Sequence, residues 1–448
     1  MVKKTLFAFS ASRFVLLSFL ITILVGSLLL WLPVSSATGQ AVPFVDALFT
    51  ATSATCVTGL VTLPTVTAWS GFGQAVILIL IQIGGLGIIT IMSFIMISLH
   101  KKLGIGDRLL IQDAFNLDTL SGLVIFVKKV FLGTLVVEGV GALLYMTVFV
   151  PEMGLRGIWV SVFNSVSAFC NAGLDIISEN SLAAYKLNPA VNAITCTLIV
   201  LGGIGYIVWW DVLRILKERK SVRSLTLHSK IAIFTTLALI FAGAALLYAF
   251  EYNNPATIKN LRESDKIMAC LFQSVTTRTA GFFTLPQQNL TNASSVLCLL
   301  LMFIGGSPVG TAGGIKTVTF AVLIISAHAT LKNRNSASVF GRALPPSAIG
   351  KAVAVTSMSF ATAFISALLL SAVMTAPTLD VVFESVSATA TVGLTRNLTP
   401  LLNLWGKIII ILTMYLGRVG PISLAVAFNV RKENKNLIKN PTENISVG

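Results

Sequence analysis

Long stretches of this chain carry no charged side chain: 14–45, 47–99, 187–210, 231–250 and 352–379. Several exceed the roughly 20 residues that an α-helix needs to cross a hydrocarbon core about 30 Å thick. The alternation of a membrane barrel strand is missing from them, so the pattern predicts membrane helices. The first run is too long for the apolar core of a signal peptide and is expected to stay as a helix.

Inside this apolar background one polar and small-residue pattern returns four times. It reads DALFTATSATCVTGL over 46–60, FNSVSAFCNAGL over 163–174, FQSVTTRTAGF over 272–282 and FESVSATATVGL over 383–394. Each copy has a Phe, a run of mostly small or hydroxyl residues, and a closing glycine. The glycines, Gly59, Gly173, Gly281 and Gly393, are separated by 114, 108 and 112 residues. Units of that size are too large for solenoid repeats and suggest four quarters around one axis.

A helix of nine or ten residues, which is what each pattern predicts, cannot span a bilayer and must dip in and return. Non-helical backbone at that depth is tolerated where protein covers it or where it lines a water-filled path. A short helix ending at such a loop aims the negative end of its dipole, together with the loop carbonyls, at one point. Four such ends make an oxygen cage suited to a dehydrated cation.

A second recurrent mark follows 24 to 29 residues after each loop glycine: Gly84-Gly85-Leu86-Gly87, Gly202-Gly203-Ile204-Gly205, Gly305-Gly306 and Gly417-Arg418-Val419-Gly420. Glycine inside a helix costs about 1 kcal/mol relative to alanine. Close packing of membrane helices through small residues explains the clusters; room for a dipping helix, or a hinge, is the other reading. Each unit is then an outer helix, a dipping helix, a glycine loop and an inner helix, giving eight crossings. Outer helices are expected near 13–34, 129–150, 229–252 and 347–375, and inner ones near 72–99, 189–216 and 404–430. The third inner helix alone is expected to break, because 305–316 holds five glycines and a proline before the apolar pattern resumes at 317–329. The expected fold class is an all-α integral membrane protein of four tandem units, 1–122, 123–228, 229–346 and 347–448, around a pseudo-fourfold pore.

Charge refines the picture. The 448 residues carry a net charge of +15, and the charged fraction, 11%, with a mean hydropathy of +0.87, fits a membrane protein rather than a nucleic-acid binder. Basic residues gather at Lys3, Lys4 and Arg13, at Lys101, Lys102, Arg108, Lys128 and Lys129, over 214–230, over 332–351 and over 431–439. The intervening connections hold Glu152, Asp175, Glu179, Glu251, Glu263, Asp265, Asp380 and Glu384. The positive-inside rule then sets both termini in the cytoplasm, with the four dipping loops entering from outside. The five cysteines show no paired spacing, so a disulfide or metal framework is not expected. No phosphate-binding loop, metal-ligand cluster or activated nucleophile points to an enzyme.

Single residues add candidate roles. The segment 305–316 lies where it can obstruct the path below the cage, as a gate or as a static packed loop. Arg418 either bonds the exposed carbonyls of the broken helix or raises an electrostatic barrier below the cage. Arg278 would repel a cation from the cage, so it is expected to point away and brace its loop. Asp46 and Glu384 suit the positive ends of the first and fourth dipping helices, or attract cations to the mouth. Glu138 has no assignable partner, and His100, His228 and His328 read as membrane-edge residues.

The combination of SATCVTGL, QIGGLG, TTRTAGF, LLMFIGG and YLGRVGP resembles the Ktr/Trk/HKT superfamily of cation transporters over essentially the full length, in particular the membrane subunits of bacterial Ktr potassium uptake systems. The resemblance implies four M1-P-M2 units in a bacterial plasma-membrane protein. It implies a potassium filter formed by Val57, Thr58 and Gly59, by Asn171, Ala172 and Gly173, by Thr279, Ala280 and Gly281, and by Thr391, Val392 and Gly393. It also implies an intramembrane gate drawn from Gly305, Gly306, Ser307, Gly310, Thr311, Gly313, Gly314, Lys316 and Arg418. Partners implied are a second copy of the chain, forming a homodimer, and a cytoplasmic ring of RCK-type regulatory subunits that bind nucleotide in place of this chain. No cofactor is implied beyond the potassium ion, or sodium. All-glycine filters resemble the potassium-selective members. Cys56 and Cys170 stand where relatives more often have small polar residues, and the third dipping unit is one residue shorter. Sodium preference, sodium dependence and an alternating-access symporter stay open as alternatives, although inverted repeats, common in such symporters, do not appear here.

Overall fold

A computed structural model describes residues 11–87, 90–91, 93–94, 97, 123–334 and 336–420. Lys3, Lys4, Lys101, Lys102, Arg108, the basic positions of 431–439 and His100 lie outside the described residues.

The chain is helical almost throughout. Long outer helices cover Ala11–Trp31, Leu123–Met153, Leu227–Glu251 and Pro346–Val373. Arg13–Trp31, Leu227–Glu251 and Pro346–Val373 are each long and apolar enough to cross a bilayer. They expose apolar side chains outward, among them Ile21, Val25, Leu28, Phe234, Phe241, Phe360, Phe364 and Leu368. So much exposed apolar surface is stable only against lipid, and the protein is membrane-embedded.

After each outer helix comes a shorter one: Phe44–Cys56, Leu155–Cys170, Glu263–Thr276 and Thr378–Thr389, 12 to 16 residues long. These exceed the nine or ten residues expected because residues upstream of each Phe join the first turns. At 1.5 Å per residue the longest reaches about 24 Å, still short of a hydrocarbon core. A loop follows, and then an inner helix that starts at a capping side chain. Ser70 accepts a bond from Gly73 N (3.3 Å), Asn188 from Ala190 N (3.0 Å), Thr291 from Ser294 N (3.2 Å) and Asn403 from Gly406 N (2.8 Å). Such caps satisfy amides that the helix itself leaves free.

The inner helices differ from the expectation that only the third breaks. The first ends at Leu86, where Gly87 has φ 82° and ψ 135°. The second ends at Gly203, Gly205 has φ 92° and ψ 140°, and the chain restarts as Tyr206–Glu218 turned by 98°. The fourth ends at Val419, with Gly420 at φ 86° and ψ 131°. The third runs Asn292–Phe303 and resumes as Thr317–Leu331. Glycine is the residue that adopts these angles without strain, and none of the three conformations continues a helix. Each of the four inner helices therefore ends at its glycine cluster.

The inner helices also join the units. Gly71–Leu86 packs on Leu155–Cys170, Pro189–Gly203 on Glu263–Thr276, Asn292–Phe303 on Thr378–Thr389, and Leu404–Val419 back on Phe44–Cys56. That last contact closes a ring within one polypeptide. The glycine clusters explain how the packing gets so close. A Cβ on Gly84 would overlap the Thr55 carbonyl, one on Gly202 the Phe169 carbonyl and one on Gly417 the Thr389 carbonyl. In each case the carbonyl belongs to the residue four before the loop glycine, so the clusters make room for the end of the short helix of their own unit.

Candidate functional site

The four loops after the short helices share two left-handed positions. Val57, Asn171, Thr279 and Thr391, two residues before each glycine, have φ of 56°, 59°, 67° and 51°. Gly59, Gly173, Gly281 and Gly393 follow with φ of 97°, 65°, 82° and 93°. Left-handed angles on three β-branched residues are costly and persist only where surrounding structure dictates them.

The glycines meet in cyclic order. A Cβ on Gly59 would stand 2.5 Å from the Ala172 oxygen and 3.2 Å from Gly173 Cα. One on Gly173 would stand 2.6 Å from both the Ala280 oxygen and Gly281 Cα. One on Gly281 would meet the Val392 oxygen at 2.6 Å and Gly393 Cα at 3.4 Å, and one on Gly393 would overlap the Thr58 oxygen, 2.9 Å from Gly59 Cα. The carbonyls of Thr58, Ala172, Ala280 and Val392 thus each lie against the next loop, and the circuit closes. The side chains of these eight residues before the glycines are buried, and the Thr58 and Thr391 hydroxyls have no hydrogen-bond partner among the described residues.

A hydroxyl pins each loop. Ser53 and Ser387 accept from the amides of Gly59 (3.0 Å) and Gly393 (3.1 Å), while Ser167 and Thr276 donate to the carbonyls of Leu174 and Phe282, both at 2.5 Å. Three loops close by a bond from the residue before glycine to the carbonyl five back: Thr58 to Ser53, Ala172 to Ser167 and Val392 to Ser387, all 2.8 Å. In the third, Ala280 reaches Thr276, four back, at 3.0 Å. The shorter third copy therefore omits one residue at the helix end and keeps the glycine in the circuit.

Beside the loops lies the segment between Phe303 and Thr317, which contacts the second, third and fourth units directly and is linked to the first through Arg418. Ser307 N donates to Gly203 O (2.7 Å), Thr311 N to Gly202 O (3.1 Å), and Tyr206 N to Val309 O (2.9 Å). Thr311 Oγ1 donates to Phe169 O (3.0 Å), and Gly313 N donates to Thr279 Oγ1 (3.1 Å). Gly313 packs on Ala390 and Thr391, and Gly310 on Gly202 and Gly203. Gly305 and Gly306 bond Ile315 and Thr317 across the neck, Ser307 Oγ meets Thr317 Oγ1 at 2.8 Å, and Gly314 turns with φ 65°. Lys316 Nζ donates to Ala312 O (2.5 Å). Arg418 donates to Thr311 O (2.7 Å) and to Gly84 O, tying the segment to the fourth and first units.

Arg278 is buried and donates to Thr236 O (2.9 Å) and Gly305 O (3.2 Å), bracing its loop from behind as its charge requires. Asp46 lies in the first turn of its helix, where it pairs with Lys407 (2.5 Å). Glu384 is not at a helix start: Asp380 holds the first turn, paired with Arg396 at 2.6 Å. Glu384 lies deeper, accepting from Thr395 (2.7 Å) and from Thr399 in the segment that leaves the fourth loop. Its counterpart Gln273 also bonds the segment leaving its loop, donating to Gln287 at 2.7 Å and accepting from it at 3.1 Å. Sequence reasoning missed this role, yet a polar residue follows the Phe in every copy: Thr50, Asn164, Gln273 and Glu384. His228 and His328 lie in the end turns of their helices.

Residues 8–440 match the family described as TrkH, cation transport protein. The chain is 38% identical to the potassium/sodium uptake protein NtpJ of Enterococcus hirae, covering 96% of this chain and 95% of the relative. It is 39% identical to Ktr system potassium uptake protein B of Bacillus subtilis, over 96% and 95%, and 32% identical to Ktr system potassium uptake protein D of the same organism, over 99% of each. The crystal structure of the potassium transporter TrkH from Vibrio parahaemolyticus superposes with a TM-score of 0.77 at 18% identity, covering 96% of this chain and 87% of that one. A match over nearly the whole length, together with the shared fold, makes this chain a member of the TrkH family of cation transport proteins, ion transporters rather than enzymes.

Proposed function

We propose that the chain takes up potassium across the bacterial plasma membrane through a channel-like path. The observation that carries this reading is the closed circuit of four loops that share two left-handed positions, each offering a carbonyl beside the next glycine. Carbonyl rings of this kind replace the hydration shell of an alkali cation. The filter oxygens are those of Val57 and Thr58, Asn171 and Ala172, Thr279 and Ala280, and Thr391 and Val392, held by the four glycines. The names of the uptake relatives support potassium as cargo, with sodium as a second candidate through NtpJ.

The segment from Gly305 to Lys316 acts as the gate, latched by Arg418. Opening breaks the bonds to Gly202, Gly203 and Arg418, and the cation charge of Arg418 moves out of the path. The four units are the repeats 1–122, 123–228, 229–346 and 347–448, with both termini cytoplasmic. Two copies pair, and a cytoplasmic nucleotide-binding ring controls the gate, as the likeness to Ktr membrane subunits supports.

Rubidium uptake by cells lacking their own potassium importers tests the proposal, with the regulatory subunit co-expressed and sodium as competitor. Saturable rubidium uptake is expected; silence at normal surface abundance refutes it.

A further inference from the structure

Glu138 sits in the outer helix of the second unit, 5% exposed, at a depth where a carboxyl is expensive unless it has work. One of its oxygens accepts from Gln82 Nε2 (3.1 Å), and the other faces the Cys170 thiol (3.7 Å). Its backbone carbonyl accepts from Ser165 Oγ at 2.6 Å. Three helices meet there: the inner helix of the first unit, the outer helix of the second and the short helix that ends in the second loop. Cys170 is the last residue of that short helix, and Asn171, the next residue, already has the left-handed angle that starts the loop.

The third unit offers an internal comparison. Ser274 Oγ donates to Ile240 O at 2.8 Å, as Ser165 does to Glu138, and Gly243 packs on Ser274 and Leu301 as Gly141 packs on Ser165 and Leu198. Ile240 therefore occupies the place of Glu138. The place of Gln82, two residues before Gly84, is taken by Val200, two before Gly202. The place of Cys170, three before the loop glycine, is taken by Arg278. That arginine, two residues past the end of its own short helix, braces the third loop, so the outer helix can be apolar there. The second short helix ends in a thiol, which cannot brace itself, and the carboxyl comes from the outer helix instead.

We propose that Glu138 is a positioning residue for the second loop: it fixes the Cys170–Asn171 junction, and through it the Asn171 and Ala172 carbonyls, by accepting from Gln82 and Cys170 at once. The inference rests on the filter reading above. It acts on ion discrimination, while a residue that merely satisfied burial would act on abundance alone.

The test uses the full chain with its regulatory subunit in importer-deficient cells, with rubidium as the transported probe and sodium as competitor. Glu138→Ile should lower abundance and reduce discrimination between rubidium and sodium about tenfold. Gln82→Val combined with Glu138→Ile imports the Val200–Ile240 arrangement and removes the unpaired polar partner. That double variant should return to within about twofold of normal abundance while its discrimination stays about tenfold low. Discrimination within twofold of normal in the double variant overturns the proposal. Should neither variant accumulate, Glu138→Gln, which keeps an oxygen for Gln82, carries the same test with the same threshold. Gly173→Ser is measured beside them. If it loses discrimination while the Glu138 variants keep it, the positioning role alone falls; if it too discriminates normally, the filter reading falls.

Discussion

Replacing Gly281 by alanine probes the loop circuit. With φ at 82°, the residue sits where a side chain costs about 1–2 kcal/mol, a charge on folding that lowers abundance. The added Cβ would stand 2.6 Å from the Val392 oxygen and 3.0 Å from Gly173 Cα. Comfortable separations are near 3.5 Å, so the oxygen has to retreat by on the order of 1 Å. A carbonyl so displaced no longer faces the cation, and interactions of a polar group with a charge are worth about 1.5–3 kcal/mol. At 1.4 kcal/mol per decade, half-saturation for rubidium should rise about 10- to 100-fold. Rubidium uptake kinetics with and without sodium, normalised to the surface abundance of the variant, measure this directly. A Gly281→Ala protein with unchanged half-saturation and unchanged sodium competition would refute the claim that the four loop carbonyls hold the ion.

Gly202→Ala drives a methyl into the Phe169 carbonyl and should lower thermal stability by the about 1–3 kcal/mol typical of overpacking. Gly139→Ala, which meets nothing within 4 Å, should be neutral or slightly stabilising in the same melting measurement. Arg418→Ala, or shortening the segment 309–314, should raise rubidium uptake several-fold in cells without the regulatory subunit; a loss of abundance with no gain in uptake per molecule would assign Arg418 to packing. Glu384→Ala leaves the hydroxyls of Thr395 and Thr399 without their shared acceptor and should cost about 1–3 kcal/mol, seen as a lower melting temperature.

Much of the architecture was visible in the residues because its causes are local. The loop glycines demand angles open to few other residues. What escaped is set across space. The breaks at Gly87 and Gly205 lie in uncharged runs, where close helix packing also accounts for the glycine clusters, and Gly420 stands in a cluster of the same kind. Only the pressure of the Thr55, Phe169 and Thr389 carbonyls shows why the clusters are needed. Glu384 was assigned to a helix start because its helix was expected to begin at Phe383, whereas Thr378 begins it and Asp380 takes the first turn. The partners of Glu138, Gln82 and Cys170, stand 56 and 32 residues away in the chain. The bonds from Ser307 and Thr311 to Gly203 and Gly202 likewise join distant segments that carry no marker of their pairing.

Because one polypeptide supplies every side of the loop circuit, each side is inherited separately. A tetramer of identical chains would suffer any substitution four times, and a strap under its pore would have to be present in four copies or none. Here a single altered codon touches one wall. That freedom lets an arginine stand behind one loop, a carboxyl behind another and a glycine-rich strap beside them, so each wall can change without first restoring symmetry.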